Sequence, residues 1–488
     1  MPPATQPSLS QHFARFATQT RFSDLPDVTI DAAKRAVLDW LGSALAGALE
    51  PPARMAQDLI AGFGQSDEAL VFGAGRAAAA PAALANGVAS HILELDDVHK
   101  GSTLHAAAPI IPAALAVAER EHASGEAFLL AVVLGYDAAL RIGEAVNPSH
   151  YRFWHPTGTV ATFGAAVAVG SLLHLTPDQM VDALGTAGTQ ASGLWEFNAD
   201  GAMSKHLHSG KAAFNGVLAA DLARRGFTGA RQILEGERGF FHATSVDAKT
   251  AAITVGLGEQ WKILENCYKL YSCCGHTHSA IDTALDFRQQ QGWQGNAAVE
   301  SLADLQIETY AAGYEIVKDV NPTTSYQAKF SLAYCVAAGL LEGWVGLEQF
   351  SNERFAATGV VDEPTAALLR RIHVTVAPDL TVHYPAEWGT RLTFTLHDGH
   401  TQTLAAAFPR GNPENPVSTA ALEEKFRTLV GPRYGVDFAE AAIGAVRALE
   451  TCSDMTEVSG QSDGKTVGQY DSRTVGQYDT LTVSAFDR

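Results

Sequence analysis

Between Glu94 and His105 the chain reads Glu-Leu-Asp-Asp-Val-His-Lys-Gly-Ser-Thr-Leu-His, with three carboxylates, two histidines and a lysine between alanine-rich apolar stretches. An unpaired buried charge costs several kcal/mol, so such a cluster between core-like helices points to catalysis or ligand binding rather than to packing. Glu94, Asp96, Asp97 and His105 are its candidate residues, and carboxylates beside imidazoles suit proton transfer near neutral pH. Trp154-His-Pro-Thr-Gly-Thr159 places His155 and Thr157 where a helix begins, and free N–H groups there favour an anion. A capping turn with an incidental histidine is the plainer alternative. Met203–Lys211 carries Lys205, His206, His208 and Lys211 ahead of a helix expected from Ser209, which makes either a carboxylate clamp or a solvated basic loop. Tyr268–His278 holds Lys269 with Cys273, Cys274, His276 and His278. Adjacent cysteines chelate one tetrahedral ion poorly, so zinc is not expected and Lys269 is the residue of interest. Tyr314 and the turn Asn321–Phe330, with Lys329, complete the set.

The elements that position these residues fall into two kinds. Apolar residues recur at helical spacing over 30–45, 107–121, 126–146, 157–173, 177–194 and 209–225, so residues 25–260 read as consecutive helices. Turns at 123–126, 147–149 and 176–178 separate them, the last with Thr176 as cap and Pro177 opening the helix. Near 265 the pattern changes. Alternation over 305–310, 371–377, 390–396 and 401–407 predicts strands, with His397–His400 as a hairpin turn and helices at 277–291, 325–342 and 347–355 between them. Helical pattern returns at 418–430 and 438–450. The expected architecture is mostly α: a large all-α domain (1–265 and 413–455), a smaller α+β lid (266–412), and a weakly ordered tail (456–488) containing a doubled Thr-Val-Gly-Gln-Tyr-Asp. The lid should pivot near Lys269. Mutual repulsion of Lys205 and Lys269 should favour an open state until a polyanion enters.

A chain of 488 residues exceeds one ordinary core, and 47% apolar with 18% charged residues is a globular balance. The net charge of −19 argues against nucleic acid or an anionic membrane as partner. Five clustered cysteines do not form a disulfide framework, and no secretory pattern opens the sequence, so a reducing, cytoplasmic setting is expected. The charge-free run Pro156–Leu175 has membrane length, but its Gly, Ala and Thr suit tight packing in a core. Gly73-Ala-Gly-Arg lacks a phosphate-binding pattern, and no nucleotide cofactor is inferred.

These motifs, in this order, resemble the MmgE/PrpD family, which includes 2-methylcitrate dehydratases, cis-aconitate decarboxylases and an iminodisuccinate epimerase. The resemblance spans about residues 8–455 and rests on Asn86–Asp97, His105, Trp154–Thr159, Ser204–Ala213, Lys269–His278 and Ala328–Tyr334. It implies a helical domain with a smaller lid, a site between them, homodimers, and neither metal nor organic cofactor. Carried over by position, it implies an active site of Glu94, Val98, His105, His155, Lys205, Lys269 and Tyr314. Glu94 stands where an aspartate is common in the decarboxylases and Val98 where a threonine is expected, so the acidic wall is altered. The expected function is a lyase acting on a small di- or tricarboxylate through a carbanion step, dehydration first, with decarboxylation or epimerisation as alternatives. A non-catalytic polycarboxylate-binding protein, and a metal-dependent hydrolase using Asp96, Asp97, His99 and His105, are the readings from other classes.

Overall fold

The computed structural model describes residues 7–355 and 362–460; the repeated motif at 466–479 lies outside the described residues. Alanine and glycine dominate the first half, and the long helices there pack closely: Asp27–Gly47, Pro51–Ala61, Ala79–Ser90, Ala107–Arg120, Gly125–Val146, Ala161–Leu172, Pro177–Gly188 and Ser204–Arg224. One close approach joins Ala79–Ser90 to Ser204–Arg224. A Cβ on Gly210 would stand 2.5 Å from the Leu84 carbonyl oxygen, so the backbones touch there. The Ser209 hydroxyl donates to the Gly87 carbonyl at 2.7 Å and pins the pair. Thr176 caps its helix reciprocally with Gln179, with Pro177 at the first position. The charge-free run becomes the turn Pro156–Thr159 and the helix Ala161–Leu172, which packs between Gly125–Val146 and Ser204–Arg224. No helix among the described residues is long and apolar enough to cross a membrane.

Several expectations are corrected. The helix expected from Ser209 begins at Ser204, so Lys205 and His208 ride on its first turns instead of a preceding loop. Beyond Arg224 the consecutive helices stop. The chain to Asn266 is mostly turns with the short pieces Phe240–Thr244, Thr250–Ile253 and Lys262–Glu265, because its glycines break longer helices. Residues 325–342 split into Ser325–Ala328 and Leu332–Glu342, and the stretch near 350 is two 3₁₀ turns.

Two short strands, β1 (Ala69–Val71) and β2 (Gly75–Ala77), form a hairpin that periodicity did not indicate. The other strands are β3 (Leu302–Thr309), β4 (Ile372–Val376), β5 (Thr390–Leu396) and β6 (Thr401–Ala406). Their order is β4-β3-β5-β6, with β3 and β4 parallel and the remaining pairs antiparallel. The parallel pair needs a long crossover, which the helices Ala311–Val317, Leu332–Glu342 and Glu363–Leu369 supply. Leu305, Ile307, Leu392 and Phe394 face those helices and His278–Gln291, where Phe287 stacks on Phe394 at 3.7 Å. The molecule is therefore mostly α with a smaller α+β part. The larger apolar core takes residues from Phe13 to Tyr268 and again from Leu422 to Met455, and a second core takes residues between Cys274 and Phe394. The two crossings between them lie side by side: the Tyr268 N–H donates to the Gly411 carbonyl at 3.0 Å. Gly411 has φ +99°, and a Cβ there would collide with the Tyr268 carbonyl oxygen, so glycine is required.

Candidate active site

A cavity lies where the two cores meet. Glu94, Val98, Thr103, His105, Tyr151, His155, Trp195 and Lys205 line one side, and Cys274, Gly275, His276, Phe330 and Trp388 line the other. Its free volume is about 20 Å³, room for one water and too little for a carboxylic acid without movement.

Glu94 sits just beyond the helix Ala79–Ser90 and has φ +58°, a left-handed conformation costing roughly 1–2 kcal/mol for a residue with a Cβ. That twist turns its carboxylate toward two ammonium groups. One oxygen pairs with Lys205 and the other with Lys269 at 3.4 Å, all three side chains being buried. Burial opposes the charge on Glu94, but Lys205 and Lys269 outweigh it and hold its carboxyl well below the usual range. Burial likewise opposes the Lys269 charge, and Glu94 then raises its pKa above the ordinary value. Glu94 thus stands between the two ammonium groups and offsets the repulsion expected between them. Lys329, pushed down to about 8 by burial, donates to the Ile92 and Leu93 carbonyls at 3.4 and 3.3 Å and fixes the turn before Glu94.

His105 projects from the turn ahead of the helix Ala107–Arg120. Its Nδ1 lies 2.6 Å from the Asp97 carbonyl oxygen and 3.4 Å from Asp96 Oδ2. A carbonyl only accepts, so Nδ1 carries a proton and Nε2 is left to exchange one with a bound molecule. The His105 N–H donates to the Thr157 hydroxyl at 3.3 Å. Asp97 works from behind: its carboxylate accepts from the Ala107 N–H at 3.0 Å and the Tyr136 hydroxyl at 2.6 Å, and burial raises it to about 6. Asp96 accepts from His91 Nδ1 at 2.7 Å. Burial opposes the Asp96 charge, but the imidazoles of His91 and His105 hold it well below the usual range, while burial keeps His91 neutral with its value down at about 4. His155 is buried, and burial keeps it neutral well below its ordinary value; its Nδ1 lies 3.0 Å from His208 Nδ1.

The structure therefore gathers Glu94, His105, His155 and Lys205 on the cavity wall. Lys269, Asp96, Asp97, Thr157 and His208 stand directly behind them. Tyr314 is not a lining residue. It sits in the first turn of Ala311–Val317 with Lys318 over its ring at 5.7 Å. Tyr310, one helical turn earlier, stands behind the cavity with its hydroxyl 2.5 Å from Nδ1 of the lining residue His276, whose Nε2 lies 3.3 Å from the hydroxyl of the lining Tyr151. Sequence reasoning also passed over His91, whose ring lies 4.7 Å from that of His105 and 5.6 Å from that of His155. A histidine closing an alanine-rich, charge-free helix five residues before Asp96 was its available signal.

Two groups among the described residues have metal-ligand spacing. His91, Asp96 and His105 offer atoms within 4.8 Å of one another, as do His99, Glu144 and Glu265. In the second the Lys262 ammonium already lies 2.9 Å from Glu144 and 3.0 Å from Glu265. The hydrolase set of Asp96, Asp97, His99 and His105 is not assembled, since His99 turns to Ser102 and Glu265 while the Asp97 carboxylate faces Tyr136.

Comparison with known proteins agrees with this arrangement. The MmgE/PrpD N-terminal domain matches residues 11–252 and the MmgE/PrpD C-terminal domain residues 271–451. The chain is 28% identical to a cis-aconitate decarboxylase-like protein, oryM, of Aspergillus oryzae, over 94% of this chain and 98% of that one. It is 27% identical to a cis-aconitate decarboxylase of Aspergillus terreus, over 87% and 89% of the two chains. With a cis-aconitate decarboxylase of Homo sapiens it shares 28% identity over 92% and 93%. Matched along nearly its whole described length by both domains in order, this chain belongs to the MmgE/PrpD family, a family of lyases.

Proposed function

We propose that this lyase decarboxylates a small unsaturated polycarboxylate, with cis-aconitate the first compound to test. The observation that carries the reading is that Lys205 and a tautomer-fixed His105 share the wall of one cavity, with Lys269 joined to Lys205 behind it through Glu94. The names borne by the relatives put decarboxylation ahead of the dehydration expected from sequence. Lys205 and Lys269 hold carboxylate oxygens of the substrate, and closure excludes water, which strengthens both attractions. The bond from carbon to one carboxylate breaks, CO₂ leaves, and the electron pair moves onto the substrate carbon frame. His105, protonated on both nitrogens and steadied by Asp96, gives the Nε2 proton to that carbon. Solvent returns the proton, so one proton is consumed for each CO₂ released. His155 stays neutral and serves as a hydrogen-bonding partner. The part spanning residues 266–412 acts as a lid pivoting near Lys269, and its opening admits substrate to a cavity that otherwise has room for one water. On this reading the enzyme uses no metal or organic cofactor, works in the cytoplasm and is a homodimer.

The test is proton NMR in deuterated water with cis-aconitate, citrate, 2-methylcitrate and iminodisuccinate, combined with CO₂ trapping. CO₂ release matched by one carbon-bound deuterium per product is expected. Loss or gain of water without CO₂ would overturn the decarboxylase assignment.

A further inference from the structure

One hydroxyl on the cavity wall has no acceptor of its own. Tyr151 sits in the short turn His150–Arg152, on the side of the cavity built from the first half of the chain. Its ring meets Trp195 edge-on at 5.0 Å. Its hydroxyl oxygen lies 3.3 Å from Nε2 of His276, which comes from the turn Gly275–Thr277 on the other side. Nδ1 of the same imidazole lies 2.5 Å from the Tyr310 hydroxyl. Trp388 covers the His276 ring at 4.4 Å, and Tyr384 stacks on Tyr310 at 5.1 Å, so both inner members are held by packing.

Burial decides which way the protons run along these three groups. Tyr310 is fully buried, and among the described residues His276 Nδ1 is the only partner of its hydroxyl. A hydroxyl that merely accepted there would bury its own proton unpaired, so it donates to Nδ1. Burial also keeps His276 neutral, with its value down at about 3. A neutral ring that accepts at Nδ1 carries its one proton on Nε2, and that N–H donates to the Tyr151 oxygen. The Tyr151 proton is left without an acceptor among the described residues, at the cavity wall. Burial raises the Tyr151 hydroxyl well above its usual range, so it stays protonated.

We infer that Tyr151 is a substrate-binding residue that donates its hydroxyl proton to a carboxylate oxygen of the substrate, and that His276 and Tyr310 are positioning residues that aim it. This deepens the decarboxylase reading and rests on it for the substrate class. Lys205 is already paired with Glu94, whereas Tyr151 has no internal carboxylate to release before substrate arrives. Tyr151 and His276 come from opposite sides of the cavity, so the donor is aimed only when the two parts stand together, and substrate capture is tied to closure.

Calorimetric titration with tricarballylate, which has three carboxylates and no double bond, reads binding apart from turnover. Tyr151→Phe keeps the ring, removes the donor and should weaken tricarballylate about tenfold. His276→Leu should weaken it nearly as much, whereas His276→Gln, whose amide N–H can replace Nε2–H, should recover most of the loss. Tyr310→Phe frees the other tautomer and should also weaken binding. In the Tyr151→Phe background, His276→Leu or Tyr310→Phe should cost less than about twofold more, because no hydroxyl is left to aim; a general loosening of the packing would instead be additive. Undiminished affinity in Tyr151→Phe, additive losses in the double variants, no recovery in His276→Gln, or a wild type that does not bind tricarballylate overturns the inference. CO₂ release from cis-aconitate is measured on the same proteins. If the wild type releases none, the decarboxylase reading fails while the binding series still decides the role of Tyr151.

Discussion

Acid should unfold this protein well above the range where its carboxylates titrate, and the buried histidines set the size of the effect. Burial lowers His91, His150 and His208 to about 4 and His206 and His276 to about 3. In the unfolded chain each returns to about 6.5. The unfolded state therefore binds protons that the folded state refuses, so stability is complete above pH 6.5 and falls as the pH drops below it. Each such histidine contributes about 1.4 kcal/mol per pH unit, or about 2 kcal/mol by pH 5. Asp97 works in the opposite direction, because its folded value near 6 favours proton uptake, but it returns only about 1–2 kcal/mol. The histidines together cost about 10 kcal/mol, which is comparable to the whole stability of a typical domain. The urea midpoint should collapse between pH 6.5 and 5. His206 isolates one share. It is buried, packs edge-on to Tyr326 at 5.8 Å, and its Nδ1 has no hydrogen-bond partner. His206→Gln should be less stable than wild type at pH 7.5 by about 1 kcal/mol, with the deficit closing by about 2 kcal/mol at pH 5. Urea titrations of both proteins at the two pH values measure this directly. Parallel loss in both, or a wild-type midpoint unchanged down to pH 5, would refute the argument.

Other perturbations read the site and the scaffold. Lys205→Met removes a buried cation that contacts Glu94 and should lower kcat/KM by about 10²–10³, mainly through KM, in steady-state assays on the true substrate. His105→Gln should lower kcat by about 10² or more with little change in binding of an inert dicarboxylate; wild-type turnover would remove His105 from the proton path. Prolonged dialysis against a strong chelator should leave turnover unchanged, and restoration of lost activity by added metal would point to the His91, Asp96 and His105 group as a ligand set. Gly210→Ala pushes a methyl to 2.5 Å from the Leu84 carbonyl oxygen and should destabilise the protein by about 1–3 kcal/mol, seen as a lower melting temperature.

Helices were legible where periodicity coincided with a chemical stop. Thr176-Pro177 marked one start to the residue, and the alternation of Leu305, Ile307, Leu392 and Phe394 marked the sheet. The start of Ser204–Arg224 was misread because Lys205, His206 and His208 look solvated in sequence. They are buried or half-buried in fact, because Gly87 and Gly210 let this helix sink against its neighbour. The histidines and lysines of the site were visible as residue types. Their pairing was not, because it depends on a left-handed Glu94 and on the encounter of segments 111 and 175 residues apart. Tyr310 and Tyr314 part for a similar reason: the hydroxyl of the cap residue reaches the cavity residue His276, and one helical turn later the ring faces Lys318.

The interrupted larger core has a consequence for biosynthesis. Leu422, Phe426, Leu429 and Val430, on the helix Thr419–Tyr434, pack against Asp27–Gly47, and Lys425 neutralises the buried Asp39. A ribosome makes these residues only after the whole second core has emerged. At about 5–20 residues per second, the nascent helical part waits on the order of ten seconds or more with one flank uncovered and Asp39 lacking its cation. The smaller core can finish during that interval, so completion runs from the inserted part outward. Until the closing helices arrive, the exposed alanine-rich flank is a natural client for a chaperone.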